Sequence, residues 1–335
     1  MKYLVTGAAG FIGSATVKKL TALRHEVVGV DNLNDYYDVE LKKARLETIQ
    51  HPLFRFVYLD ISNQDAMSSL FEKEKFERVI HLAAQAGVRY SIENPHSYVE
   101  SNVVGYLNVL EGCRNNQVQH LVYASSSSIY GLNNKVPFST LESADHPISL
   151  YAATKKSNEL MAHCYSHLYQ IPTTGLRFFT VYGAWGRPDM APFIFTKKIL
   201  EGQTVDINNH GDMWRDFTHI TDVVEGIIRV ANVIPVRNGQ WLADQGSPAN
   251  SSAPFAVYNL GHGEPIHLLD FIGGIEKELD IKAKKNFREM QPGDVYRTCA
   301  DTEDFYAITG YRPTVSIQEG IAELVTWYKE FYMLN

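Results

Sequence analysis

The chain has 335 residues, 45% of them hydrophobic and 21% charged, an ordinary globular composition with room for about two domains. Thirty-one Lys and Arg against 38 Asp and Glu give a formal net charge of −7. With no overall basic field to hold a nucleic-acid backbone, nucleic acid is excluded as an expected partner.

Cys113, Cys164 and Cys299 are widely spaced and read as reduced structural thiols, and the 12 scattered histidines suggest no metal site. Met1-Lys2 runs straight into an apolar strand, without the longer apolar region and cleavage site of a signal peptide. No window approaches 18 uninterrupted apolar residues, so the expectation is a cytoplasmic protein without a membrane partner.

In chain order, short apolar runs alternate with segments of helical period. Tyr3–Thr6 predicts a strand, Ile12–Leu23 a helix, Glu26–Val30 a strand, Val39–Gln50 a helix and Phe54–Leu59 a strand. Further strands are predicted at Arg78–Leu82, His120–Ala124 and Thr173–Phe178, with helices at Pro95–Arg114 and Leu150–Tyr169. This rhythm predicts parallel strands covered by helices on both faces and joined by right-handed crossovers. Beyond about residue 180 the regularity fades into the Gly- and Pro-rich stretches Gly183–Pro192 and Gly239–Pro254, read either as loops over a ligand site or as surface insertions. Helical patterns return at Leu268–Leu279 and Ser316–Phe331, predicting a smaller C-terminal lobe.

Gly7-Ala-Ala-Gly10-Phe11-Ile12-Gly13 lies between the first strand and the first helix. Glycines there permit a tight turn and close backbone approach to a pyrophosphate, which the positive end of the helix then faces. Asp31 ends the second strand 18 residues after Gly13, where a carboxylate can accept bonds from both adenosine ribose hydroxyls. Asn32 follows and no Arg or Lys comes before Lys42, which favours NAD over NADP as the cofactor.

Tyr151 and Lys155 stand four residues apart in a helical segment, which puts phenol and ammonium on one face a turn apart. A tyrosine ionises near pH 10, so a phenolate base at neutral pH needs a cation held beside it. Tyr123-Ala-Ser-Ser-Ser-Ser-Ile-Tyr-Gly131 runs from a strand into four serines, at the end where α/β sheets place their ligands.

The glycine turn, the segment His81-Leu-Ala-Ala-Gln-Ala-Gly87, the serine run ending in Tyr-Gly, and Tyr151 with Lys155 together resemble the extended short-chain dehydrogenase/reductase family over essentially the whole chain. Within it the sequence is most similar to nucleotide-sugar 4-epimerases. Gly183-Ala-Trp-Gly-Arg-Pro-Asp-Met-Ala191 and the Asn-Asp-Tyr-Tyr-Asp within Asn32–Leu46 look like the branch acting on UDP-glucuronate. The fold this resemblance implies is α/β, a Rossmann-type doubly wound parallel sheet with a smaller C-terminal α/β substrate-binding lobe. The expected division is 1–180 for the NAD-binding domain, some later segments returning to it, and 181–335 mainly for the nucleotide-sugar lobe.

Carried over by position, Tyr151 is implied as base, Lys155 as the residue that binds the nicotinamide ribose and tunes the phenol, and Ser126 as the hydroxyl partner. Ser127 and Ser128 are implied in the sugar site. Asp60 and Ile61 fall near adenine, Leu82, Ala83 and Ala84 along the cofactor, and Asn102 and Phe178 against it. Thr180 and Arg215 fall where the family holds the nucleotide diphosphate, and Asp294 near the uridine ribose. A polyanionic ligand on an acidic chain requires local arginines, for which Arg89, Arg187, Arg215, Arg288 and Arg297 are the candidates. The chain departs from galactose-type epimerases at Thr180, where those carry Asn, and at Gln291-Pro292, where they carry Arg, which counts against a neutral galactose substrate. Related decarboxylases and dehydratases carry a carboxylate ahead of the Tyr-Gly, where this chain has Ser127 and Ser128. A non-catalytic dinucleotide-binding regulator is the alternative of another class, and such proteins commonly lose the Tyr or the Lys. The resemblance also implies a homodimer through the face of Pro95–Arg114 and Leu150–Tyr169.

Overall fold

The computed structural model describes residues 1–244, 246–291 and 293–333; Gln245 of the long loop and Pro292 of the Gln291-Pro292 departure lie outside the described residues. Its first half alternates strand and helix: β1 (Lys2–Thr6), α1 (Phe11–Ala22), β2 (Glu26–Asp31), α2 (Val39–Glu47), β3 (Phe54–Tyr58), α3 (Gln64–Glu74) and β4 (Arg78–His81). Two single turns follow, α4 (Tyr90–Glu93) and α5 (Pro95–Tyr98), then a π-helical stretch Val99–Val104, α6 (Gly105–Asn115), β5 (His120–Ser126), α7 (Leu150–Tyr169) and β6 (Thr173–Phe178). The second half adds β7 (Thr180–Tyr182), α8 (Ala191–Leu200), β8 (Thr204–Ile207), β9 (Trp214–His219), α9 (Ile220–Ala231) and β10 (Phe255–Leu260). It ends with β11 (Pro265–His267), α10 (Leu268–Leu279), β12 (Lys284–Phe287), α11 (Glu303–Thr309) and α12 (Ile317–Met333).

Seven parallel strands form the main sheet in the order β10-β6-β5-β4-β1-β2-β3. The order reverses between β1 and β4, and in doubly wound sheets the crevice at that switch point is where ligands bind. β1, β2, β4, β5, β6 and β10 are buried on both faces along nearly their whole length, whereas β3 at the sheet edge is half-exposed. Tyr3 and Val5 of β1 enter one core with Val17 and Leu20 of α1 and Ile227 of α9, whereas Leu4 enters the other with Leu70 of α3 and Val109 and Leu110 of α6. That alternation is the period-two rule of a strand applied to two hydrophobic faces.

A third core joins α8, β8, β9, α10 and α12 through Phe195, Ile207, Phe217, Phe271, Ile275 and Val325 and makes the smaller lobe. The chain crosses between the two bodies more than once: α9 packs against α1, and β10 pairs with β6 on the edge of the main sheet. Among the described residues no helix is long and apolar enough to cross a membrane.

Pro95–Arg114 differs from the unbroken helix its period predicts, because the π-helical stretch interrupts it. Such a stretch adds a residue to the turn and re-aims a side chain, here Asn102. Its amide accepts from Gln85 N (2.8 Å) and donates to Gln85 O (3.0 Å) and the Thr154 hydroxyl (3.0 Å).

α7 starts with the Ser149 hydroxyl accepting from Ala152 N (3.1 Å), an N-cap that satisfies one orphan donor. Its middle is fixed by a buried ion pair. Arg177 of β6 donates to both Glu159 oxygens at 2.9 Å and to the Tyr130 hydroxyl at 3.0 Å, and Ser125 Oγ donates to Glu159 at 2.7 Å. Glu159→Ala strands the Arg177 guanidinium without a counter-charge, and urea denaturation is expected to report a loss of about 3 to 5 kcal/mol. A loss under 1 kcal/mol counts against this role.

Candidate active site

The glycine turn folds as it does because two of its positions exclude a side chain. Gly7 has φ +72, and a Cβ there would stand 2.8 Å from Ala83 N; on Gly13 it would overlap the Gly7 carbonyl oxygen. Gly10 N donates to Gly7 O (2.9 Å), closing the turn. α1 begins at Gly10 with no side-chain cap and no acidic residue in its first turn, leaving its first N–H groups and positive end open to an anion. Asp31 braces the same turn, accepting from Ala9 N (3.1 Å) and Leu33 N (2.9 Å). Burial pushes its carboxyl up, against the downward pull of those two bonds and of the Lys42 charge.

One cavity of about 1010 Å³ opens here and runs from the glycine turn past the serines to the smaller lobe. Gly7, Gly10, Phe11, Ile12, Gly13, Asp31, Asn32, Asp60, Ile61, Leu82, Ala83, Ala84 and Phe178 line its cofactor end. Tyr151, Lys155, Ser126, Ser127 and Ser128 line its middle, and Arg89, Thr180, Arg187, Arg215 and Asp294 the remainder. Asn102 is not among the lining residues; its amide is engaged by the Gln85 backbone and the Thr154 hydroxyl, one position from Lys155. Arg288 and Arg297 are also absent from the lining. Arg288 is paired with Asp206 at 2.8 Å, and the Arg297 guanidinium lies over the Trp214 ring at 5.7 Å.

The middle of the cavity concentrates the chemistry. Lys155 is 2% exposed and donates to Ala124 O at 3.0 Å; burial pushes its ammonium down to about 8. The Tyr151 phenol keeps part of its surface on the cavity but lies deep in the protein. Burial pushes it up, opposed by the Arg187 charge and by a hydrogen bond from Ser126, while Asp189 pushes it up further. Ser126 Oγ and Ser128 Oγ are 2.8 Å apart. Arg187 holds Asp189 through Nε (3.0 Å) and Nη2 (2.5 Å), and Asp189 also accepts from Tyr36 (3.1 Å). Toward the lobe, Arg215 and Arg89 share Asp294 at 3.8 Å and 3.9 Å.

Lys42, Tyr36 and Asp189 are among the lining residues that the sequence did not single out. Lys42 reaches back from α2 to bond Asn34 O (2.5 Å) and Asn34 Oδ1 (2.7 Å), and its charge acts on Asp31, so the ribose position is not free of basic neighbours. Tyr36 and Asp189 meet across 153 residues of sequence, a contact no spacing rule foretells, although both lie in segments that carry the family resemblance. His163 and His167 are a helical turn apart with rings at 6.2 Å, yet among the described residues no group of three His, Cys, Asp or Glu could hold a metal.

A buried lysine whose folded value lies below its unfolded one weakens the fold at neutral pH, and this penalty fades as pH rises from about 8 toward the unfolded value near 10.5. Lys155→Met is therefore expected to be more stable than the parent by about 2 kcal/mol at pH 7. The gap is expected to narrow between pH 8 and 10 in denaturation curves, and a constant gap contradicts a strained ammonium.

Residues 3–238 match the model of the NAD dependent epimerase/dehydratase family. "Protein CapI" of Staphylococcus aureus is 52% identical over 332 residues, covering 99% of each chain. A "Probable UDP-glucuronate 4-epimerase" of Rhizobium meliloti (strain 1021) is 48% identical, covering 99% of this chain and 98% of its own. The crystal structure of the UDP-glucuronic acid 4-epimerase from Bacillus cereus in complex with UDP-glucuronic acid and NAD superposes with a TM-score of 0.86 at 33% identity, covering 99% of this chain and 100% of that one. A switch-point cavity between an uncapped, glycine-lined helix start and a Tyr-Lys pair agrees with that match over most of the chain, which belongs to the NAD dependent epimerase/dehydratase family.

Proposed function

We propose that this protein is an NAD-dependent UDP-glucuronate 4-epimerase, interconverting UDP-glucuronate and UDP-galacturonate through a transient 4-keto sugar. The observation that carries the reading is the convergence of Tyr151, Ser126 and Lys155 in one cavity with an arginine suited to a carboxylate, Arg187. The rimless glycine turn and uncapped α1 fit a dinucleotide diphosphate, and Asp31 fits its adenosine ribose. Bound NAD supplies the acceptor for the hydride of sugar C4 and returns that hydride to the opposite face.

Tyr151 acts as base toward the sugar 4-hydroxyl and then as acid toward the ketone oxygen. Ser126 donates to the phenolate, and Lys155, held on Ala124 O, supplies fixed positive charge without a proton transfer of its own. Arg215, Arg89 and Thr180 hold the diphosphate, Asp294 the uridine ribose, and Asp60 and Ile61 the adenine. The UDP end is clamped while the hexose turns over.

A 4-keto uronate is a β-keto acid and loses carbon dioxide when its carboxyl bond aligns with the carbonyl π system. Arg187 and the hydroxyls of Ser127 and Ser128 hold the carboxylate out of that alignment. Serines in place of a carboxylate ahead of Tyr130 favour simple epimerisation over decarboxylation or dehydration. The exposed apolar side chains of α6 and α7, Leu107, Leu160 and Leu168, support pairing with a second copy of the chain.

Incubation with UDP-glucuronate, UDP-glucose and UDP-N-acetylglucosamine, followed by chromatography, is expected to yield UDP-galacturonate from the first alone; a UDP-pentose as main product makes the protein a decarboxylase, and no conversion supports the regulator. Tyr151→Phe is expected to lower kcat about 10²- to 10⁴-fold and leave NAD affinity within twofold. Turnover at the parent rate would sink the mechanism. Arg187→Ala is expected to raise KM for UDP-glucuronate and the pentose fraction together.

A further inference from the structure

Arg45 and Arg177 are the largest side chains that the fold encloses almost completely; Arg45 is 1% exposed and, unlike Arg177, among the described residues it forms no ion pair. All of its donors go to neutral oxygens in three separate segments. Nη1 donates to Ala9 O (3.2 Å), inside the glycine turn, and to the Tyr37 hydroxyl (2.7 Å). Nε donates to Trp185 O (3.1 Å), and Nη2 to Trp185 O (2.8 Å) and Gly186 O (3.1 Å). Asp31 feels the Arg45 charge only at longer range, and enclosing a charge without a contacting counter-charge is costly, so a fold that needed only a packed side chain here would be served by an apolar one.

The three segments are the ones that must keep register for the proposed reaction. Ala9 lies in the turn that receives the cofactor diphosphate. Trp185 and Gly186 immediately precede Arg187, and Gly183 at φ +132 and Trp185 at φ 66 show how sharply that backbone bends. The Trp185 ring packs against Trp327 and Phe331 of α12, with ring centroids at 5.4 Å and 5.0 Å, and under Lys18 at 5.8 Å, so its side chain is anchored by α12 and α1 while its carbonyl is held by Arg45. Tyr37 belongs to the segment whose Tyr36 bonds Asp189, the partner of Arg187. A planar fork of five donors can span these acceptors at once; an ammonium at the end of a flexible stem cannot.

We propose that Arg45 is a positioning residue that locks the backbone ahead of Arg187 to the glycine turn and so fixes where the sugar carboxylate is held relative to the cofactor. This rests on the epimerase reading above. A displacement of about 1 Å between reacting groups can cost about 100-fold in rate, which sets the scale of what such a tie protects.

The test uses Arg45→Lys and Arg45→Met in the full chain, with calorimetric affinities for UDP-glucuronate and for UDP beside the kinetics. The expected result is an affinity for UDP within twofold of the parent, an affinity for UDP-glucuronate lowered about tenfold, and a higher pentose fraction among products. In an Arg187→Ala background the same Arg45 substitution is expected to have no further effect on the UDP-glucuronate to UDP affinity ratio, since neighbours acting through one group are not additive. An unchanged ratio in a folded variant overturns the proposal, and so does an equal further loss in the Arg187→Ala background. Should neither Arg45 variant fold, Tyr37→Phe, which deletes one acceptor, is expected to lower the ratio by a smaller factor, and no change overturns the proposal. A parent that binds UDP-glucuronate without converting it overturns the epimerase reading alone, because the binding ratio still reads Arg45.

Discussion

The site is governed by a positive charge enclosed, among the described residues, without a carboxylate partner. Lys155 points into the cavity from α7, and the nearest carboxylate on its own helix face, Glu159 one turn later, is already engaged by both prongs of Arg177 and by Ser125. The fold thereby keeps a carboxylate close in sequence from neutralising the ammonium. Burial alone would discharge both the lysine and the phenol beside it, pushing one down and the other up. Among the described residues, Ala124 O opposes that tendency at the lysine, and Ser126 and the field of Arg187 oppose it at the phenol. The site is built to be completed by charge arriving with its ligands.

The same logic resolves an apparent conflict in the composition. A chain of net charge −7 is a poor match for a polyanion, yet Lys42, Arg45, Lys155, Arg187 and Arg215 all lie in or directly behind one cavity. Asp189 answers Arg187, and a single carboxylate, Asp294, is shared at long range by Arg215 and Arg89. Asp31, Asp60, Glu93 and Asp206 also line that cavity, so its positive character is local, confined to the groups that no carboxylate touches, and those sit where screening is weakest.

The first half of the fold was legible because its strands other than β3 are buried on both faces and its helices on one, so sequence period and structure coincide; Thr173–Phe178 and Leu150–Tyr169 match residue for residue. Pro95–Arg114 was read as one helix since a π-helical turn changes the local period by a single residue, too little for pattern alone to register. The lobe was harder. β7 and β11 are three residues each, and the lobe core gathers residues from 182 to 325, so no contiguous window carries its signal. At the site, the glycine turn and the Tyr-Lys pair were visible because local geometry dictates them. Lys42, Arg45 and Asp189 were not, because what a long or bent-back side chain touches is decided by tertiary packing.

That division follows from how the site reconciles glycine-rich loops with fixed geometry. Three of the segments around the cavity are pinned by buried polar side chains from elsewhere: the turn after β1 by Asp31 and Arg45, the segment at Gln85 by Asn102, and the backbone ahead of Arg187 by Arg45 again. Asn102 also bonds Thr154, the neighbour of Lys155, so the loop after β4 and α7 share one amide. Directional hydrogen bonds suit this work better than apolar packing, because a buried donor left without its acceptor costs about 1 to 3 kcal/mol and so penalises small displacements that a hydrophobic contact would tolerate. Glycines let the backbone come close to the ligands, and the buried polar anchors decide how close.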